Sequence, residues 1–264
     1  MTIQFTSKKV GELLKEEGLR IPSYQRPYKW NRKHIRNLFY DLRDAMGKKE
    51  YQIGSVILHK NDGYLDIVDG KRYLDIVDGQ QRLISISLFL HLLDDLVNYK
   101  GAKQLLSAAV FGELSCYHAS ENYNEWENLT QLVGENQAKD ICNFLLENCS
   151  VSVITMSQER LSEAFQLFDS QNNRGKSLEP HDLLKAYHLR KEDSEDEKIV
   201  EKWEQFVEDK DLSLKELFDK HLFRMRRWSR GETGLTNKRY GSYLRFTEDF
   251  IDDFKGVDLN QNFP

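Results

Sequence analysis

Apolar residues recur at spacings of three and four, as on one face of a helix, over two stretches near the start of the chain. Over Thr6–Glu17, Val10, Leu13 and Leu14 fall on one face, which predicts a first helix that stops at Gly18. The spacing predicts a second helix over Asn31–Met46, with Asn31 as its N-cap. Its apolar stripe consists of Ile35, Leu38, Phe39 and Leu42. Between the two helices, the residues that lead to Pro22 are expected to be extended, because a residue before proline avoids the helical region.

The next stretch has the composition of β-strands. Tyr51–Lys60 is apolar and β-branched, and a turn-forming Asn-Asp-Gly follows it. The string YLDIVDG then occurs twice, at Tyr64–Gly70 and at Tyr73–Gly79, which predicts two strands that pair as a hairpin. Only the second copy runs into Gln-Gln-Arg and an apolar helix with spacings of three and four.

The rest of the chain is predicted to be mainly helical, with one strand at Val151–Met156. Helical patterns cover Lys100–Ser150 and five later segments, which are Glu159–Phe168, Glu179–Leu189, Glu195–Glu208, Ser213–Arg227 and Tyr240–Phe254. Most strands therefore lie in the first part of the chain, and the pattern predicts the α+β class.

Charge and composition restrict the class of protein. The chain is 39% hydrophobic and 31% charged with a net charge of −5, which argues against a protein that coats nucleic acid by bulk attraction. Two local segments are nevertheless basic, Arg26–Arg36 and Lys220–Tyr240. They suit selective contact with a polyanion, and solvated helix faces are the alternative. No apolar run reaches the ~20 residues of a membrane span, and three unpaired cysteines fit a reduced cytoplasmic protein.

The strongest local motif is Asp78-Gly79-Gln80-Gln81-Arg82, at the predicted junction of a strand and a helix. Glycine lets the backbone approach a ligand, and a helix N-terminus offers N–H groups to phosphate. Arg82 could hold phosphate oxygens through two parallel hydrogen bonds. The alternative interpretation is a simple turn that Asp78 caps.

A second cluster extends from Ile21 to Trp30 and contains two prolines, two tyrosines, a tryptophan and cations. Such a loop can stack a base on an aromatic ring while a cation meets phosphate. The alternative is that Tyr24, Tyr28 and Trp30 cover the core.

A third cluster concentrates amide, glycine and basic groups at Phe168–Leu178 and continues into Asp182–Lys185. It suits a phosphate or a metal-bound phosphate, and the alternative is a chain reversal at a helix end.

Four ordered blocks together resemble the N-terminal domain of GmrSD-type restriction endonucleases. They are IPSYQRPYKW, YQIGSVIL, IVDGQQRL and FDSQNNRGKSLEPHDLLKAY, and they span roughly residues 5 to 190. The resemblance implies a ParB/sulfiredoxin-like fold extended by helices, with a nucleotide-binding domain at 1–98 and a mainly helical domain at 99–264. It also implies binding and hydrolysis of a nucleoside triphosphate with Mg²⁺, in a phage-defence system whose HNH-type nuclease is a separate domain.

The resemblance carries roles onto matching residues. Catalysis is expected from Asp78, Gln81 and Arg82. Nucleotide binding is expected from Gly79, Gln80, Gln81, Arg82, Asn172, Gly175 and Lys185, while Asp182 belongs to the same block without an assigned role. Tyr24, Gln25 and Arg26 are expected to line the same cavity or a pocket for modified DNA, and Trp30 is a further expected contact to DNA. The basic C-terminal segment adds Arg226 and Arg227 as contacts to DNA phosphates.

Two departures from the family pattern shape these expectations. The duplicated YLDIVDG is unusual, so Asp78 is preferred over Asp69, which we assign to a lengthened hairpin. No nuclease block is recognisable, and the seven histidines have no metal-nuclease spacing, so no metal site is predicted. The nuclease is therefore expected on a partner chain or in the rest of a longer protein. The alternatives are a ParB-like module that binds DNA or protein without turnover, and an autonomous nuclease. The sequence leaves the oligomeric state open.

Overall fold

A computed structural model of the chain describes residues 4–22, 25, 27–61, 73–97, 99, 101–108, 113–156, 202–203, 205–206 and 217–231. The chain divides into two compact units. The first contains Met1–Pro22 and Pro27–Ala164, and the second contains Ser23–Arg26 and Phe165–Pro264.

The first unit is built on a mixed five-stranded sheet. In spatial order its strands are β1 (Gln4–Lys9), β5 (Cys149–Met156), β3 (Tyr51–Asn61), β4 (Tyr73–Asp78) and β2 (Leu19–Arg20). The pairs β1–β5 and β3–β4 are antiparallel, and the pairs β5–β3 and β4–β2 are parallel. Together with the helices, this sheet confirms the predicted α+β class, while the ParB/sulfiredoxin-like topology stays a prediction.

Seven helices accompany the sheet in the described part of the first unit. They are α1 (Val10–Leu13), α2 (Arg32–Ala45), α3 (Gln80–Leu92), α4 (Asp94–Val97), α5 (Gly101–Ala108), α6 (Glu113–Val133) and α7 (Glu135–Glu147). The described part of the second unit holds a π-helical segment, Leu217–Leu222, followed by α8 (Phe223–Ser229). No helix in these described stretches is long and apolar enough to cross a bilayer.

The predicted second helix is confirmed together with its cap. The Asn31 side chain accepts a hydrogen bond from the backbone N–H of Lys33 at 3.1 Å, which satisfies one of the unpaired first-turn donors of α2. The four residues of the predicted apolar stripe are all buried. Burial of this face against the rest of the unit stabilises the helix more than its intrinsic propensity does.

The core of the first unit centres on an aromatic cluster between α2, α3 and α6. Trp126 of α6 is fully buried and stacks on Phe89 of α3, with ring centroids 4.4 Å apart. The rings of Trp126 and Phe39 of α2 are in a T-shaped arrangement, with centroids 6.3 Å apart. The indole Nε1 donates to the carbonyl of Ser85 at 3.0 Å, so the polar atom of this large side chain is also satisfied. The predicted helical region after residue 100 therefore supplies the centre of the core.

The predicted helix over Thr6–Glu17 is wrong in its first half. Gln4–Lys9 is a strand, and the helix that follows spans only Val10–Leu13. The strand forms because all six of its residues pair with β5, from Gln4 opposite Thr155 to Lys9 opposite Ser150. Long-range pairing thus overrides a local helical pattern, although Val10 and Leu13 still face the core as the pattern predicts.

The first compact unit continues beyond the predicted domain boundary at 98/99. The strand β5 lies between β1 and β3, so residues 149–156 complete the sheet that the N-terminal strands begin.

The first YLDIVDG copy and three predicted helices, Glu159–Phe168, Glu179–Leu189 and Tyr240–Phe254, lie outside the described residues.

Candidate functional site

The DGQQR motif lies at the junction of β4 and α3, as the sequence predicts. Asp78 ends the strand, Gly79 adopts the left-handed region at φ +94°, and the helix begins at Gln80. A Cβ at Gly79 would lie 2.9 Å from Cγ2 of Val56, so the junction requires both the backbone freedom and the small size of glycine. Because Gly79 has no side chain, it does not cap the first turn of α3.

The Arg82 side chain folds back over a bulge in β3. Its Nη1 donates to the carbonyl oxygen of Ser55 at 3.2 Å. Gly54 has φ +125°, and a Cβ there would lie 2.7 Å from the same nitrogen. The β3–β5 register shifts between Gln52 and Ser55, so the bulge and the missing side chain together make room for the guanidinium.

Asp78 and Arg82 carry opposite charges, and each is partly desolvated. Burial raises the pKa of the Asp78 carboxyl, against a hydrogen bond from the Gly79 backbone and the positive charge of Arg82, which both lower it. Burial also lowers the pKa of Arg82, and the Asp78 charge opposes that shift. Both charged forms therefore lack part of their hydration, which strengthens the attraction of the guanidinium for an anion that reaches it.

The side chain of Gln81 points to a neighbouring loop, the segment Pro27–Trp30. Its Oε1 accepts hydrogen bonds from the backbone N–H groups of Lys29 at 2.8 Å and Trp30 at 3.2 Å. Its Nε2 donates to the carbonyl of Pro27 at 3.0 Å. The amide is thus engaged by protein at both ends, while the adjacent Gln80 side chain is buried.

Tyr28 belongs to the core and not to an exposed aromatic surface. Its side chain is 1% exposed, and its hydroxyl lies 2.6 Å from Oγ of Ser85 and 2.8 Å from Nδ2 of Asn122. Burial raises the pKa of this hydroxyl, and the two hydrogen bonds partly oppose that rise. The core-covering alternative for the aromatic loop therefore holds for Tyr28.

The residues predicted to contact DNA are spread over both units. Trp30 is half-buried and stacks on the ring of His34, with centroids 5.3 Å apart. Gln25 is half-buried. On α8, Arg226 is exposed and Arg227 is half-buried, close in sequence to the exposed Trp228. Five predicted site residues and one block member lie outside the described residues: Tyr24, Arg26, Asn172, Gly175, Lys185 and Asp182.

Sequence reasoning missed four residues that shape this region. Gly54 and Ser55 of β3 cradle Arg82, whereas Ser115 and Asn122 of α6 bind the Pro27–Trp30 loop. A glycine inside a predicted strand signals a bulge, so Gly54 was detectable. The two α6 residues have no local signal, because only the tertiary fold brings them to the loop.

Other reactive groups in the described residues do not form a competing site. All three cysteines are free, and burial raises the pKa of both Cys142 and Cys149 to about 12. Those two thiols therefore stay protonated and unreactive at neutral pH. Within the described residues, no group of three or more His, Cys, Asp and Glu side chains is arranged to hold a metal ion.

Comparison with known proteins places most of the chain in one family. Residues 10–189 match the family described as the GmrSD restriction endonuclease, N-terminal domain. Residues 195–264, which include α8, match a family of unknown function, DUF7834. No curated protein matches the chain. The first match contains the four sequence blocks and the β4–α3 junction, and it covers more than half of the chain. The chain therefore belongs to the GmrSD restriction endonuclease N-terminal domain family.

Proposed function

We propose that the chain binds a nucleoside triphosphate at the β4–α3 junction and hydrolyses it, as the regulatory module of a modification-dependent DNA-restriction system. The observation that carries this proposal is the Arg82 guanidinium, which is partly buried beside the first turn of α3. Among the described residues its hydrogen bond is to the Ser55 carbonyl, and a guanidinium has five donors. Donors held in a partly desolvated setting favour a phosphate.

The surroundings of Arg82 fit a phosphate group. The missing side chain at Gly54 makes room for the Arg82 guanidinium, and the missing side chain at Gly79 leaves the backbone of the junction without a Cβ of its own. The backbone N–H groups at the start of α3 and the positive end of its dipole support an anion there. In this proposal Gln80 and Gln81 contribute their backbone N–H groups, while the backbone N–H of Gly79 donates to the Asp78 carboxylate and holds it beside the phosphate position.

Asp78 is the carboxylate next to the proposed phosphate position. In the proposed hydrolysis, water attacks the terminal phosphorus, the bond to the leaving diphosphate breaks, and Asp78 accepts a proton from the water. Magnesium enters as the counterion of the triphosphate, which usually supplies much of its coordination. Nucleotide binding by Asn172, Gly175 and Lys185 is proposed from the sequence resemblance, since these residues lie outside the described ones.

A test of the site uses ATP, GTP, CTP and UTP with Mg²⁺, with and without modified DNA, and measures phosphate release. Arg82→Ala is expected to abolish turnover, with an unchanged far-UV circular dichroism spectrum. Arg43→Ala is the matched control, because Arg43 is an exposed arginine on α2 that pairs with the adjacent Asp44. Wild-type turnover by Arg82→Ala would contradict the site assignment.

The duplicated strand supplies a second, internal control. Asp78→Ala is expected to weaken nucleotide binding severely, whereas Asp69→Ala leaves it near normal, because only Asp78 precedes the N-terminus of α3. Calorimetric titration of both variants decides, and equal losses would remove the basis for choosing the second copy.

Recognition of modified DNA is proposed for the aromatic segment Tyr24–Trp30. Arg226 and Arg227 are proposed to contact DNA phosphates. The cell interior is the proposed location, and a nuclease domain or chain is the proposed partner. Tyr24→Ala is expected to erase the preference for modified over plain DNA, with little change in affinity for plain DNA. Competition binding of the two duplexes measures this, and an unchanged preference would exclude Tyr24.

A second candidate function is binding without turnover. The Gln81 contacts favour it, since one of the three residues expected in catalysis uses its side chain to hold a loop. Tight nucleotide binding without phosphate release, for all four nucleotides and with modified DNA present, would select this candidate.

A further inference from the structure

We infer that Gln81 is a positioning residue whose side-chain amide fastens the Pro27–Trp30 loop to the first turn of α3. Under the proposed function this turn also binds nucleotide, and Gln81 then links nucleotide binding to the conformation of the loop. This second part of the inference rests on the proposed function. The Gln81 side chain is then not a ligand of the nucleotide.

The hydrogen-bonding pattern of the Gln81 amide carries the inference. Two successive backbone N–H groups, from Lys29 and Trp30, converge on Oε1, while Nε2 reaches back to the carbonyl of Pro27. One side chain therefore satisfies three backbone groups of a four-residue loop. Shortening or replacing the amide leaves all three without this partner at once.

A second set of contacts holds the same loop from the opposite side. Asn122 of α6 donates to the carbonyl of Trp30 at 2.7 Å, and the N–H of Tyr28 donates to Oγ of Ser115 at 3.0 Å. The Tyr28 hydroxyl meets Ser85, one helical turn after Gln81. The loop thus lies between α3 and α6, and Gln81 provides its attachment at the N-terminal end of α3.

The link between loop and turn follows from covalent geometry. The backbone N–H of Gln81 is in the first turn of α3, and its side chain holds the loop that leads directly to the N-cap of α2 at Asn31. A shift of the turn toward a bound phosphate moves the amide and, with it, the backbone of Lys29 and Trp30. Loop attachment and phosphate binding therefore share one structural element.

Limited trypsin digestion of the full chain tests the attachment without any nucleotide. Trypsin does not cleave before proline, so Arg26–Pro27 is resistant, whereas Lys29 is exposed and its bond to Trp30 is a cleavage site. Loss of three hydrogen bonds in Gln81→Ala is expected to raise the cleavage rate at Lys29–Trp30 about tenfold or more. Gln81→Glu keeps an oxygen that accepts from the N–H groups of Lys29 and Trp30, loses the donor to Pro27, and is expected to give a cleavage rate between those of the wild type and Gln81→Ala.

The control is Gln137→Ala, which truncates an exposed glutamine in the first turn of α7 and is expected to cleave at the wild-type rate. Mass spectrometry identifies the fragment that ends at Lys29, and cleavage at other sites reports on global unfolding. A wild-type rate at Lys29–Trp30 in Gln81→Ala overturns the inference, as does acceleration at all sites alike.

Titration with ATP, GTP, CTP and UTP separates positioning from direct ligation. The nucleotide that binds best is expected to slow cleavage at Lys29–Trp30 in the wild type. In Gln81→Ala this protection disappears, and because linkage is reciprocal the Kd rises by no more than the wild-type protection factor, whereas removal of a direct ligand would cost tenfold or more whatever that factor is. An affinity loss as large as that of Arg82→Ala overturns the inference. If no nucleotide binds the wild type, the proposed function fails, and so does the link between nucleotide and loop. The positioning role of Gln81 is then decided by the cleavage rates measured without nucleotide.

Discussion

Tyr28→Phe removes a single oxygen atom from the interior of the first unit, and the surrounding contacts define what is lost. Oγ of Ser85 donates to the carbonyl of Gln81 at 2.9 Å, so its hydrogen is already used. The Tyr28 hydroxyl therefore donates to Ser85 and accepts from Asn122, whose side chain is fully buried. Phenylalanine leaves one buried N–H of Asn122 and one lone pair of Ser85 without a partner.

The cost of Tyr28→Phe follows from this inventory. An unsatisfied buried N–H costs about 1–3 kcal/mol, and the lost bond to Ser85 adds to it, so we expect the free energy of unfolding to fall by about 2–3 kcal/mol. For a unit of this size, that corresponds to a decrease in Tm of roughly 4–12 °C. The ring itself keeps its packing, because phenylalanine has the same shape without the hydroxyl.

Urea unfolding followed by circular dichroism measures this loss. Tyr40→Phe is the matched control, since Tyr40 is only half-buried on α2, and its expected change is within about 0.5 kcal/mol. If Tyr28→Phe also costs less than about 0.5 kcal/mol, the buried network contributes no more than water does, and the reasoning is refuted.

Three further predictions concern the junction, pH and DNA. Gly79→Ala forces a side chain into φ +94° and to 2.9 Å from Val56, so a loss of about 1–3 kcal/mol in urea unfolding is expected; unchanged stability would contradict the strain. Burial raises the pKa of Tyr99 from 10.0 to about 12. The burial of the neutral Tyr99 hydroxyl therefore stabilises the fold fully below pH 10, and this stabilisation is lost as pH rises toward 12. Tyr99→Phe should reduce the fall of the urea midpoint over that pH range. Replacing Arg226 and Arg227 by alanine should weaken modified and plain DNA alike and reduce the salt slope by about one to two, which binding curves at several salt concentrations test.

Local patterns predicted the elements whose signal lies within their own residues. Helix α2 has a cap and an apolar stripe, β3 and β4 are apolar and β-branched, and α3 follows a glycine. Strand β1 escaped prediction because its residues are mostly polar and exposed, and its partner β5 lies far along the chain. Its strand conformation depends on pairing, which no local window contains.

The candidate site divides in the same way. The position of Gly79 at a strand–helix junction was predictable, since glycine and the change of hydrophobic period are both local signals. The direction of the Gln81 side chain was not, because it depends on where the carbonyl of Pro27 and two loop N–H groups lie after folding. Contacts of Arg82 with the β3 bulge likewise require the assembled sheet.

The place of β5 between β1 and β3 has a consequence for synthesis on the ribosome. β1 and β3 emerge before β5, the strand that pairs with both, and β5 is complete only at Met156. At about 5–20 residues per second, the facing edge of β1 stays unpaired for roughly 7–30 s and that of β3 for roughly 5–20 s. Unpaired strand edges template aggregation, so this interval is when a chaperone that covers extended backbone benefits the chain most. Slow translation between the emergence of β1 and that of β5 prolongs the exposure, whereas the same slowing after β5 has emerged leaves the completed sheet unaffected.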